Sequence, residues 1–136
     1  MRHALALGLL AAAGCGATAG ARWDEVQGTV WVLLSMEGTP PLAGTETTLT
    51  LDVGRLYGQA VNRYSAQYER TEGAFQIDAI AATKKFLDDP PGAMAQEARY
   101  LKLLDEVDGW RMSGSWLELL RGETTVLVFR RRNPPE

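Results

Sequence analysis

The side chains able to do chemistry are few, and their types narrow the reaction before any fold is considered. Carboxylates stand at Asp52, Glu69, Glu72 and Asp78, in or beside segments that read as neighbouring strands. A glycosidase needs only two such acids across a scissile bond. On half-solvated strands, however, acids are normally part of the exposed face. Asp88 and Asp89 offer oxygens to a cation, but Pro90-Pro91 after them makes helix capping the simpler use. Histidine is confined to His3 and cysteine to Cys15. His3 falls in the leader described below, which is expected to be removed, and without it a Ser-His-Asp arrangement, a Cys-His pair and a histidine-built zinc site lack their parts. Gly38, Gly44, Gly54 and Gly58 are too scattered for a phosphate-cradling loop. No catalytic residue, metal ligand or cofactor is assigned.

Binding is the remaining chemistry. The stretch GQAVNRYSAQY, Gly58 to Tyr68, has the spacing of one strand but is rich in polar groups. Alternation puts Leu56, Gly58, Ala60, Asn62 and Tyr64 on one face, and Tyr57, Gln59, Val61 and Arg63 on the other. With Val61 toward a helix-side core, Asn62 and Tyr64 look away from it beside the small Gly58 and Ala60. These two residues are the candidate ligand contacts. The competing reading has Asn62 satisfying backbone groups at a bend in the sheet. Trp23, Trp31, Trp110 and Trp116 suit either a sugar or lipid groove or a small core, and Trp31, inside an apolar run, belongs to the core.

A chain of 136 residues with 46% hydrophobic and 23% charged residues is an ordinary single globular domain. Its net charge of -3 disfavours a nucleic-acid partner, and the basic run Arg130-Arg131-Arg132 reads as a solvated strand end. The first residues have the layout of a secretory signal: Arg2 and His3, an apolar run from Ala4 to Ala13, then small residues. Ten apolar residues are too few to span a bilayer, which takes about 20. Leu10 to Cys15, LAAAGC, resembles the lipobox of bacterial lipoproteins, which implies residues 1–14 as signal peptide and Cys15 as the acylated first residue. A cut after Ala17-Thr18-Ala19 fits as well and releases a soluble periplasmic protein. Acylation gives the otherwise unpaired Cys15 a purpose, and more than one chain anchors stably. Gly16, in place of the aspartate that retains such proteins in the inner membrane, directs the expectation to the outer membrane, facing the periplasm.

After a tether over residues 15–25, strands are expected over Thr29–Met36, Thr47–Val53, Gly58–Tyr68 and Ala74–Ile80, then Trp110–Met112, Trp116–Leu120 and Thr124–Arg130. Short turns between them make antiparallel neighbours the default. One helix interrupts the series, opened by Asp88-Asp89-Pro90-Pro91 and carrying Met94, Ala98, Leu101, Leu104 and Val107 at helical spacing. The fold class is α+β, a strongly curved, partly barrel-like antiparallel sheet with one amphipathic helix over residues 26–132, and a tail over 133–136.

Four short motifs in order resemble the META domain (HslJ-like) family. They are Val26-Gln27-Gly28-Thr29-Val30-Trp31, Ala60-Val61-Asn62-Arg63-Tyr64, Ile80-Ala81-Ala82-Thr83-Lys84-Lys85, and Met94-Ala95-Gln96-Glu97 with Tyr100-Leu101. The resemblance implies a small antiparallel sheet closed by a helix, an envelope setting and no established catalysis. The family commonly has cysteines where this chain has Val61 and, by count, Leu87, which implies that these two touch as a hydrophobic replacement for a sulfur pair. The expected function is a lipid-anchored, non-enzymatic envelope module, a monomer held to the membrane through Cys15. It would bind a protein, lipid or surface polymer and support the envelope under stress. The alternatives are a carboxylate-only hydrolase of cell-wall sugars and a purely structural protein.

Overall fold

The computed structural model describes residues 22–72 and 74–132, so the expected signal segment, Cys15, most of the expected tether and the expected tail lie outside the described residues. The strands are β1 Val30–Met36, β2 Thr48–Asp52, β3 Arg55–Gln59, β4 Arg63–Arg70 and β5 Phe75–Ala82, followed by β6 Gly109–Ser113, β7 Trp116–Arg121 and β8 Thr124–Arg131. Two helices accompany them: α1, a short turn over residues 22–26, and α2, Ala93–Glu106. All strands join one eight-stranded antiparallel sheet, ordered β5-β4-β3-β2-β1-β8-β7-β6.

The sheet curls but does not close. Its edge strands touch at one end only, through an Ala74–Gly109 bridge and a bond from the Phe75 N–H to the Asp108 carbonyl at 3.1 Å. Bulges sharpen the curl: β5 gains one residue opposite β4 between Ser65 and Gln67, where Ala79 takes a left-handed φ of 57°. The concave side holds Trp31, Leu49, Leu51, Leu56, Phe75, Leu117, Leu127 and Phe129, each at most 1% exposed. Alternate positions along the strands supply these residues from one face, as the pleat requires.

Helix α2 packs against β5 and β8 over the open part of the curl. Its buried residues are Ala93, Glu97, Tyr100, Leu103 and Leu104, whereas Ala98 is exposed and Met94 and Leu101 are only partly covered. The expected stripe is thus displaced by one residue over the first turns, because the face that is buried contains a glutamate. The start also differs. Gly92, in a left-handed conformation, is the N-cap, and Asp88 caps from further back, its Oδ1 accepting the N–H of Gly92 at 3.1 Å and of Met94 at 3.0 Å. These bonds hold the Asp88 carboxyl below its ordinary range.

The polar stretch from Gly58 to Tyr68 is two strands, not one. Gln59 faces Arg63 across the β3–β4 hairpin, and residues 60–62 form its loop, closed by a bond from the Ala60 N–H to the Asn62 carbonyl at 2.9 Å. The face assignment is corrected accordingly: Asn62 and Tyr64 are 3% and 4% exposed and face the interior, while Tyr57, Gln59 and Arg63 are exposed. The domain edge also begins earlier than residue 26. Trp23 on α1 is buried against Tyr68, Phe75 and Trp110, its ring 4.9 Å from that of Trp110, so Trp23 and Trp110 are core and Trp116 is half-exposed.

Candidate functional site

Asn62 sits where three segments meet. Its Oδ1 accepts the Thr83 hydroxyl at 2.9 Å and the Lys85 N–H at 2.6 Å. Its Nδ2 donates to the Lys85 carbonyl at 3.0 Å and to Glu97 Oε1 at 2.9 Å. A side-chain amide has two donors and two acceptor sites, so this one is saturated. Its backbone N–H donates to the other Glu97 oxygen, Oε2, at 2.5 Å. Glu97, only 7% exposed, thereby spends both carboxylate oxygens on one residue of the hairpin loop. Burying a carboxylate is tolerable only where hydrogen bonds replace its water. The result is a clamp joining the β3–β4 hairpin, the segment after β5 and the first turns of α2.

A second link runs beside it. The Tyr64 hydroxyl donates to the Thr48 carbonyl at 2.6 Å and lies 2.6 Å from the Tyr100 hydroxyl. Because the Tyr64 proton is committed to Thr48, Tyr100 is the donor of the second bond. Gly58 makes room for this: a Cβ there would lie 2.0 Å from the Thr48 oxygen and 2.7 Å from the Tyr64 hydroxyl. Burial pushes the Tyr64 hydroxyl well above its ordinary value, with the Tyr100 neighbour adding to it, and burial also raises Tyr100. A group protonated more readily when folded stabilises the fold fully below its unfolded pKa, near 10 for tyrosine, and that contribution is lost as pH rises further. In an alkaline titration, Tyr64 and Tyr100 are therefore expected to ionise only with loss of near-ultraviolet circular dichroism. Phenolate absorbance from all four tyrosines while that signal is intact would contradict the buried pair.

Residues 24–134 match the family model of the META domain. The chain belongs to the META domain family. A solved NMR structure of a protein from Burkholderia xenovorans is similar to it at 25% identity and a TM-score of 0.63, covering 84% of this chain and 88% of that one. A second NMR structure shares the fold at 18% identity and a TM-score of 0.62, covering 79% of this chain and 92% of the other. No curated protein matches.

Three of the four META motifs meet in one assembly. Asn62 and Tyr64 come from the second, Thr83 and Lys85 from the third, Glu97 and Tyr100 from the fourth. In the first, the Trp31 indole N–H reaches the Val26 carbonyl at 3.0 Å, and Gly28, at φ 82°, donates its N–H to Leu51 at 2.8 Å. Val61 and Leu87 both line a cleft of about 240 Å³ that also reaches Glu97 and Lys85. Leu87 keeps 48% of its surface exposed, so this is no buried replacement for a sulfur pair.

The larger cleft, about 640 Å³, lies over β3, β4 and β5. Tyr64 and Gly58 reach its wall, but the residues that open onto it were not foreseen: Arg55, Tyr57 and Arg63, with Ser65 and Ala81 between strands. Their signal was present in the alternation, on the face assigned inward. The Arg55 guanidinium lies 5.7 Å from the Tyr57 ring centre. Among the described residues, neither Arg55 nor Arg63 has an ion-pair partner, although seven other ion pairs are made. Of the four acids considered above, Asp52 borders this cleft, Asp78 borders a different one, and Glu69 and Glu72 are exposed. Among the described residues no group of three or more His, Cys, Asp or Glu side chains is placed to hold a metal ion.

Proposed function

We propose that this META domain protein is a lipid-anchored, non-enzymatic binding module of the cell envelope, held through Cys15 in the outer membrane and facing the periplasm, where it supports the envelope under stress. One observation carries the binding part. The buried polar side chains of the META motifs are consumed by one another, whereas the open cleft presents two guanidiniums that are unpaired among the described residues and an aromatic ring beside a single carboxylate. That set can hold an anion; it lacks the second acid that a carboxylate-only hydrolase needs.

The anchor is supported by the LAAAGC stretch. Its test is fractionation of cells making the natural chain or Cys15→Ser. The natural chain is expected with the membranes and in the detergent phase; the variant is expected to keep its leader or appear in the soluble fraction. Unchanged processing and partition in the variant would refute the lipid anchor and favour the cut after Ala19.

A further inference from the structure

We infer that the cleft over β3 and β4 is a binding groove for an acidic polysaccharide, one carrying a carboxylate on successive sugars; this rests on the non-enzymatic binding reading above. The cross-strand register fixes the layout. Tyr57 pairs with Ser65 at the centre, Arg55 lies opposite Gln67, and Arg63 lies opposite Gln59. The two arginines therefore flank the ring on one face, four residues apart along the strand direction, or about 13 Å at 3.3 Å per residue. A single phosphate or carboxylate meets one guanidinium at that spacing. A polymer with repeating charge meets both and lays its sugar between them.

The floor suits such a guest. Ser65 and Ala81 are small, which leaves the Tyr57 ring standing beside a hollow, where the apolar C–H face of a sugar can cover it. Tyr57 is 38% exposed and Arg55 leans toward its ring. Arginine forks match carboxylates in geometry as well as charge. An acidic peptide is a poorer fit, because it gains most from the unpaired backbone of a sheet edge. This groove is on a sheet face between paired strands and offers side chains only. Asp52 at the rim is turned to its own hairpin, its Oδ1 accepting the Val53 N–H at 2.9 Å. A basic groove on a chain of net charge -3 concentrates attraction for anions at one place.

The test uses the full-length protein in detergent with polygalacturonate as the probe, and neutral dextran, polyglutamate, an oligodeoxythymidine and phosphatidylglycerol vesicles as comparisons. Polygalacturonate is expected to bind in a salt-dependent way and dextran not to. Arg55→Ala with Arg63→Ala should weaken binding by at least tenfold, and Tyr57→Ala by about threefold to tenfold, while Lys102→Ala, on the exposed side of α2, leaves it unchanged. Circular dichroism of each variant establishes that it is folded. Absence of polygalacturonate binding, equal binding of any comparison anion, or affinity undiminished in the folded double arginine variant would overturn the proposal. Appearance of new reducing ends in bound polygalacturonate would instead overturn the non-enzymatic reading and leave the groove assignment standing.

Discussion

Asn62→Ala is expected to destabilise the domain by about 4 kcal/mol, a large share of the 5–15 kcal/mol typical of a domain. The alanine removes both ends of an amide that satisfies the Lys85 N–H, the Lys85 carbonyl, the Thr83 hydroxyl and one oxygen of Glu97. A buried polar group left without a partner costs about 1–3 kcal/mol, and more when charged. Thr83 and Lys85 lie near the surface and can recover water, which is why the total stays below the simple sum. Glu97 cannot recover so easily, being 7% exposed on the inner side of α2. Asn62→Asp should be as harmful, since it removes the Nδ2 donor and sets one carboxylate against another. A thermal melt of the alanine variant should fall by roughly 15–25 °C. In a double-mutant cycle with Glu97→Ala, the combined loss should be well short of the two single losses added together. A variant melting within a few degrees of the natural protein would show that the clamp is not what holds the hairpin to the helix.

Gly58→Ala is expected to cost about 2–4 kcal/mol through the addition of one methyl group. That methyl would stand 2.0 Å from the Thr48 oxygen and 2.8 Å from its carbonyl carbon, both backbone atoms of a paired strand. Overpacking typically costs about 1–3 kcal/mol, and displacing Thr48 also breaks its bond from the Tyr64 hydroxyl, about 1 kcal/mol more. Thr48 is constrained twice, because its own hydroxyl accepts the Gln59 N–H at 3.1 Å while its carbonyl turns toward Tyr64. Combining Gly58→Ala with Tyr64→Phe frees the phenol end but not the backbone. The double variant should therefore stay close to Gly58→Ala in a denaturant titration. Full recovery would mean that the tyrosine, rather than the strand, sets the fit.

The strands around these two residues show what a chain reveals before it is folded. Clean alternation such as Leu49 and Leu51 against Thr48 and Thr50 reads correctly, because burial of one face is what produces it. The stretch through Asn62 misleads for a definite reason. An inward asparagine looks polar, and a pattern rule sends it outward, although four partners make it at home inside. Glu97 misleads in the same way and turns the expected helix stripe by one residue. Both are buried polar groups whose partners come from segments 35 residues apart. Nothing local in either segment announces the other; only the family resemblance joined them. Arg55, Tyr57 and Arg63 were missed as a consequence, since assigning Asn62 outward sends its neighbours in. The aromatic cluster of Trp23, Tyr68, Phe75 and Trp110 is likewise a product of the curl, which brings the start of the chain to β6.

The order of strands has a consequence for how the chain becomes a protein. β1 is central, paired on one side with β2 and on the other with β8, the last strand made. Emerging from its N-terminus, the chain can zip β1 to β5 as a meander, but one flank of β1 stays bare until residue 131 is available. Pairing that spans nearly the whole domain is slow to form and leaves an open strand edge while it waits. Completion is therefore all at once and at the end. A chain stopped short of β8 is left with a sticky half-sheet, so loss of only its last strand should send it to proteolysis or aggregation rather than to a smaller working domain.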